Sequence, residues 1–350
     1  MSWLKKFVII LAILVVMIPV AFAGIIYSKL KTMQVNGDFS ILANNDYKYD
    51  NSITNILLIG SDARPGETVS RSDSMMILTV DGKHKSLKLT SLGRDTYVSI
   101  PNHGYEKLTH AYAYGEEKLL IETIENNFKL DIQNYAKVDF YTFIDIVDTL
   151  GGVEIDIQQS EIDEMNKFIK EAYSWDKKKN KGKIEYITES GKQHLKGYQA
   201  LTYARIRKND GTMQRDNRQR VLIEAILKKV ESTSFTKYPE LLDAVMPYVK
   251  TNMSPSDIML LGKEVLSIGN FHINTMQFPL HPENEIRLPE SGYVIPFEQY
   301  EVEFLHDFIF NNKKLDKQKL LDADKNWEAS GKESQYAEDS EYTRYKSYGY

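Results

Sequence analysis

The sequence predicts an α/β fold: a three-layer-like sandwich of a central mixed sheet with helices on both sides, preceded by one N-terminal transmembrane helix. Three observations carry that expectation. From Asn55 to about Asn312, strand-like and helix-like apolar segments alternate, the order that builds a sheet covered by helices. Asp81-Gly82 stands between two strand-like runs, a hairpin signal that puts antiparallel pairing into the sheet. Residues 7–27 run without one charge, long enough to cross a bilayer as a helix.

In chain order, residues 1–6 form a short cytoplasmic N-terminus, because Lys5 and Lys6 precede the apolar run and basic flanks stay inside. The anchor at 7–27 makes the protein a single-pass protein of the cell membrane with the remainder extracellular. A cleaved signal peptide is the rival reading, since Ala21-Phe22-Ala23 has the form of a cleavage site. The apolar run continues past it through Ile25 and Ile26, which favours a retained anchor. Residues 28–52 are polar and rich in Asn and Asp and read as a linker. Residues 53–312 are enough for one large domain with a substantial core. Strands are expected near 55–60, 74–80, 86–92, 134–139, 153–157 and 272–278, with helices near 115–127, 140–149, 160–174, 197–205, 214–232, 238–248, 255–267 and 297–311. Gly151-Gly152 ends one helix and Ser254-Pro255-Ser256-Asp257 starts another. Residues 313–350 are charged, rich in Tyr and without sustained apolar periodicity, so a mostly disordered tail is expected.

Composition removes several function classes. The net charge of −5 gives nucleic-acid binding no support. The absence of cysteine excludes disulfides, a cysteine nucleophile and thiolate metal sites. The histidines show no metal-ligand spacing, and His110 is as well explained by packing as by chemistry.

What remains is a charged rim on an apolar sheet. The stretch NILLIGSDARPGETVSRSDSMMILTV places Asp62, Arg64, Arg71 and Asp73 between two strands. The hairpin at Asp81-Gly82 returns the third strand to the same edge, just before Gly93-Arg94-Asp95. If the first two strands also pair antiparallel, Asp62, Arg64, Arg71, Asp73, Arg94 and Asp95 gather at one end of one sheet. A surface salt-bridge cluster is one reading. The other is a site for a metal and a phosphate, since Mg²⁺ takes one or two carboxylates plus phosphate oxygens and arginines bind the remaining oxygens. A second basic run, YARIRKNDGTMQRDNRQR, holds Arg205, Arg207, Lys208, Arg215, Arg218 and Arg220. Arg205 and Arg207 share a face if extended, and Arg215 and Arg218 share one on a helix. A solvated helix end and an anion site both fit that run.

The segments NILLIGSDAR, RSDSMMILTV, SLGRDTYVSIP, KLTHAYAYG, VDFYTFIDIVDTLGGVEIDI and GYQALTYARIR followed by RDNRQR resemble, in that order, the LytR-CpsA-Psr family of cell-wall glycopolymer transferases. The resemblance covers about residues 53–232 and implies an enzyme, a phosphotransferase. It would move a glycopolymer such as wall teichoic acid or capsular polysaccharide from a polyprenyl pyrophosphate carrier to peptidoglycan, with Mg²⁺ as cofactor and a muramic-acid hydroxyl as acceptor. It also implies an apolar tunnel for the lipid tail. By resemblance Asp62 and Asp73 are the metal carboxylates, and Arg71, Arg94, Arg205, Arg207 and Arg218 hold the pyrophosphate with Gln219 near it. Arg64, Lys107 and Arg215 match motif positions and join the pyrophosphate set. Arg71, Asp73, Arg94, Asp95, Arg205 and Arg207 are the catalytic candidates; Asp95 either activates the acceptor hydroxyl or simply pairs with an arginine. The sequence departs from the family pattern at Asp210-Gly211-Thr212-Met213. Two other readings are a pyrophosphatase acting on a polyprenyl carrier, and a non-catalytic, membrane-anchored lipid- or wall-binding module. The carboxylates beside the arginines favour the enzymes.

Overall fold

The computed structural model describes residues 26–28, 30–35, 47–61, 72–176, 181–206, 212–232, 243, 249–269 and 272–347. The chain runs through β1 (Ile53–Ser61), β2 (Ser72–Asp81), β3 (Ser86–Leu92), β4 (Tyr97–Ile100), β5 (Gly104–Lys107) and α1 (Leu108–Phe128). Next come β6 (Asn134–Asp139), α2 (Phe140–Thr149), β7 (Val153–Ile157), α3 (Gln159–Trp175), β8 (Gly191–Leu195), α4 (Gly197–Ala204) and α5 (Thr212–Glu231). The last part holds β9 (Lys250–Thr251), α6 (Pro255–Ile268), β10 (Ile273–Phe278), β11 (Ile286–Leu288), β12 (Gly292–Val294), α7 (Gln299–Asn311), α8 (Lys317–Ser330) and α9 (Ser340–Ser347).

Six strands form the central sheet in the order β10-β3-β2-β1-β6-β9. It is mixed, as expected: β1 pairs antiparallel with β2 and parallel with β6, and β3 pairs antiparallel with β2 and parallel with β10. Strand alternation sends successive side chains to opposite faces. Leu57, Ile59, Met75, Ile77 and Leu92 pack with Ile124 and Phe128 of α1 and Leu305 and Ile309 of α7. Met76, Val80, Leu87 and Leu89 pack with Leu261, Val265 and Ile268 of α6 and Ile223 of α5. Helices therefore cover both faces. A separate core joins the antiparallel β7–β8 pair to α2, α3 and α4 through Ile144, Ile155, Met165, Leu195 and Leu201.

The β2–β3 hairpin forms with Asp81 opposite Ser86, and Lys85 takes the left-handed conformation at φ 53°. Asp81 is not merely a turn former. Its carboxylate lies 2.5 Å from Lys88 Nζ, both side chains are fully buried, and the same Nζ donates to the Ile309 carbonyl. Burial pushes the Lys88 pKa down, while Asp81 pulls it up. This pair ties the sheet to α7.

Several boundaries differ from expectation. The helix expected at 115–127 begins at Leu108 and breaks at Gly115 and Glu116, the latter at φ 53°. The segment expected as a linker makes backbone contacts with the domain: Val35 N–H donates to the Thr251 carbonyl and Lys48 N–H to that of Lys129. The disordered tail is overturned. Residues 317–330 and 340–347 are helical, and Tyr336 is fully buried against Tyr97, with Tyr342 in the same cluster. The tail's tyrosines pack as a ring cluster, with Tyr97 and Tyr336 centroids 5.3 Å apart. A ring cluster needs no helical apolar repeat. The helix expected at 238–248 lies outside the described residues except for Asp243. The expected span at 7–27 also lies outside them apart from its last two residues, and among the described residues no helix is long and apolar enough to cross a membrane.

Candidate functional site

β1 ends where β2 begins, with Ser61 opposite Ser72, and β3 ends beside the same edge, with Leu92 opposite Met75. Parallel pairing brings two more C-terminal ends there, Asp139 of β6 beside Ser61 and Phe278 of β10 beside Leu92. Ligands of open α/β sheets bind outside such strand ends. The register steps from Gly60–Ser74 to Ser61–Ser72, which leaves Asp73 as the extra residue of a β-bulge. Bulges interrupt strand alternation and recur beside active sites.

The turn after β3 presents the candidate charges. Arg94 Nε lies 3.4 Å from Asp95 Oδ2, and Lys107 Nζ lies 3.5 Å from Asp95 Oδ1. Backbone bonds fix this turn: Gly93 N–H donates to the Phe278 carbonyl, Thr96 N–H to that of Gly93, and Ile295 N–H to that of Asp95 at 2.8 Å. A side chain at Gly93 would place its Cβ 3.2 Å from Thr96 Oγ1 and 3.4 Å from Pro279 Cδ, a tight fit that Thr96 would have to relieve by a small shift. Thr109, in the first turn of α1, donates its N–H to the Arg94 carbonyl and its hydroxyl to the Ser72 carbonyl. One threonine thus holds the starts of β2 and of the charged turn together. Glu285, beyond Asp95, has its carboxyl pKa raised by partial desolvation and by the Asp95 charge, with Lys107 opposing.

A second group forms around α3. Arg218 Nε lies 2.7 Å from Glu161 Oε1, and both side chains are nearly enclosed. Arg205 lies 3.3 Å from Glu171 and stacks over Trp175 at 4.8 Å. Gln219 is half-buried on α5. Asp62, Arg64, Arg71 and Arg207 lie outside the described residues, and Asp73 and Arg215 are placed by backbone alone, in β2 and α5. The structure thus joins Arg94, Asp95 and Lys107, and ties Arg205 and Arg218 to carboxylates of α3. Asp95 sits between two cations, the geometry of an ion-pair partner. Among the described residues no three His, Asp or Glu side chains form a metal-holding group. Thr109, Asp139 and Glu285 were not singled out from the sequence. Thr109 sits in KLTHAYAYG beside His110, but its contacts depend on strand pairing that local pattern does not reveal.

The mixed sheet covered by helices and the charged turn at its strand ends make this an α/β protein with a polar site at the sheet's edge. The sequence model of the LytR_cpsA_psr family matches residues 25–302, and the chain belongs to that family. It is 34% identical over 218 residues to the polyisoprenyl-teichoic acid–peptidoglycan teichoic acid transferase TagT of Bacillus subtilis (strain 168), covering 61% of this chain and 64% of that protein. It is 35% identical over 212 residues to the corresponding transferase TagU of Bacillus anthracis (strain CDC 684 / NRRL 3495), covering 59% of this chain and 63% of that protein. The chain therefore spans less than two thirds of the length of these curated relatives. A solved structure of TagT bound to LI-WTA superposes with a TM-score of 0.61 at 26% identity, covering 77% of this chain and 97% of that one.

Proposed function

We propose that this protein is a membrane-anchored phosphotransferase that moves a glycopolymer from a polyprenyl pyrophosphate carrier to peptidoglycan outside the cell. The observation that carries this reading is the convergence of the β1, β2 and β3 termini at one sheet edge, with Arg94, Asp95 and Lys107 gathered there. Family membership and the names of the relatives support it. The uncharged run at 7–27 supports a single-pass anchor with the domain extracellular.

In the reaction the acceptor hydroxyl oxygen bonds to the sugar-side phosphorus. The bond from that phosphorus to the bridging oxygen breaks, and polyprenyl phosphate leaves with the electron pair. The hydroxyl proton passes to solvent or to the leaving phosphate. Such transfer depends on positioning and charge stabilisation. Arg94, with Arg71, Arg205, Arg207 and Arg218, would bind phosphate oxygens, and Arg64, Lys107, Arg215 and Gln219 would complete the pocket. Asp62 is the residue after Ser61 in sequence and Asp73 sits at the bulge of the neighbouring strand; their carboxylates would supply oxygen donors for Mg²⁺. The ion would offset pyrophosphate charge. The apolar carrier would lie against the partly buried Leu58, Leu78 and Ile223, which pack on the core between the sheet and α5 and α6.

The test is full-length protein in detergent with Mg²⁺, a lipid-linked donor and peptidoglycan. Release of polyprenyl phosphate coupled to glycan transfer is expected, and Arg94→Ala should lower it by roughly 10²–10³ without changing the melting temperature. Release that proceeds equally without peptidoglycan would make the protein a pyrophosphatase, and no release from any lipid-linked donor would sink both enzymes.

A further inference from the structure

Beyond the strand ends, the segment 281–301 and the C-terminal helices enclose a cleft of about 770 Å³. Its outer wall comes from α8 and α9, past residue 302 where the family match ends. Tyr300 and Trp327 line it with ring centroids 5.5 Å apart, and Tyr345 lines it from α9. Asp324 is fixed in place by the Tyr300 hydroxyl, which donates to it at 2.7 Å, and by His281 at 3.1 Å. Glu298 is held by the Ser334 hydroxyl at 2.6 Å. The exposed Glu328 stands one residue beyond Trp327.

We infer that this cleft binds an amine-bearing saccharide and serves as the acceptor side of the transfer. Aromatic faces beside fixed acceptors suit a sugar, which presents apolar C–H faces and a rim of donors. Acidic side chains outnumber lysines in the lining by six to two, with His281 a further basic group and with burial raising the pKa of Glu285, Glu298 and Glu301; the remaining acidic excess, Glu328 at the exposed rim included, favours an ammonium group over a phosphate-rich donor. The Trp327 ring already faces the Lys332 ammonium at 5.8 Å, the kind of contact a saccharide ammonium would make in its place. The cleft also abuts the candidate site. Ile295, whose N–H holds the Asp95 carbonyl, is followed directly by the lining residues Pro296 and Phe297, and Glu285 at the other rim senses the charges of Asp95 and Lys107. The acceptor assignment rests on the transferase reading; the saccharide site itself stands on the cleft.

Full-length protein in detergent, without donor or Mg²⁺, is titrated by calorimetry with four probes: a glucosamine tetramer, its N-acetylated counterpart, a hyaluronan fragment and spermine. The glucosamine tetramer should bind tightest and hyaluronan weakest. Trp327→Ala should weaken the glucosamine tetramer at least about tenfold, Trp327→Phe should restore most of it, and Glu328→Gln should narrow its advantage over the N-acetylated tetramer. Spermine binding as tightly as the glucosamine tetramer overturns the proposal in favour of a plain cation site. So does unchanged binding in Trp327→Ala, or a preference for hyaluronan. Melting curves of each variant separate lost binding from lost folding, and Glu328→Gln, at an exposed position, reads the site without disturbing α8. Saccharide binding that persists when transfer is absent would discard the enzyme and keep the cleft. Transfer without saccharide binding would do the reverse.

Discussion

The Thr109 hydroxyl donates to the Ser72 carbonyl across 2.9 Å, and the N–H of the same residue donates to the Arg94 carbonyl at 3.1 Å. The first turn of α1 thereby holds two strand ends in one place. Thr109 and Ser72 are both enclosed, so losing the hydroxyl leaves a buried carbonyl short of a partner. Thr109→Val should cost about 1–3 kcal/mol of stability. It should also slow transfer roughly tenfold or more, because small misplacement of charged groups is costly. Thr109→Ser keeps the donor and should restore activity. Denaturant midpoints and transfer rates of the two variants check this. A Val variant that loses stability but transfers at the full rate would show that the clamp serves folding alone.

The enclosed pair Arg218–Glu161 makes a different prediction. Glu161 is held twice, by Arg218 Nε at 2.7 Å and by the Gln158 N–H at 2.8 Å at the start of α3. Breaking such a pair from one side leaves a buried charge, so Arg218→Ala should destabilise by about 3–5 kcal/mol. Removing the stranded charge in Arg218→Met with Glu161→Gln should recover part of the loss. Urea unfolding measures both. If Arg218→Ala unfolds at the wild-type urea concentration yet abolishes transfer, the arginine serves ligand and not fold.

The parts of this molecule that rest on local pattern are legible in its sequence, and those that rest on distant pairing are not. The apolar runs NILLIG and SMMILTV, with Asp81-Gly82 between strands, mark out β1, β2 and β3, but their shared edge follows only once β1 and β2 are taken to pair antiparallel, as they do. The bulge at Asp73 was hidden, since it is a property of how β1 and β2 align. The ion pairing of Arg205 and Arg218 was hidden too. In sequence they form a basic run, but their carboxylate partners, Glu171 and Glu161, lie on a helix more than thirty residues earlier. The C-terminal segment misled for the same reason. Tyr336 and Tyr342 find their partner Tyr97 more than two hundred residues away, and a polar composition says nothing about such a contact.

That contact predicts how the C-terminal segment behaves. The Tyr336 hydroxyl donates to the Tyr97 carbonyl at 2.8 Å and accepts from the Phe297 N–H at 3.1 Å. Burial drives the Tyr336 phenol pKa well up, so the ring stays neutral. Tyr336→Ala opens a cavity and should cost about 3–5 kcal/mol, while Tyr336→Phe should cost about 1–3 kcal/mol for the unpaired groups. Hydrogen exchange should show protected amides in α8 in the wild-type protein and faster exchange there in Tyr336→Ala. Unprotected amides in the wild type would mean that the segment is not docked in solution.

The last prediction concerns pH. Glu125 is 2% exposed, and its carboxylate accepts the Ile132 N–H at 2.9 Å. Burial raises its pKa from 4.5 to about 8, partly opposed by that hydrogen bond. The folded state therefore keeps a proton that the unfolded chain gives up. Below 4.5 both states are protonated and the stabilising term is fully present. As pH rises towards 8, only the unfolded state ionises, and the term is progressively lost. Glu125→Gln keeps an acceptor for Ile132 but does not titrate. Relative to wild type, the variant should gain up to roughly 3–4 kcal/mol between about pH 5 and about pH 8, since one pKa unit is worth about 1.4 kcal/mol. Thermal melts of both proteins across that range give the comparison directly. A wild-type protein that instead gains on the variant as pH rises would mean that Glu125 is ionised in the fold and that the hydrogen bond from Ile132 outweighs its burial.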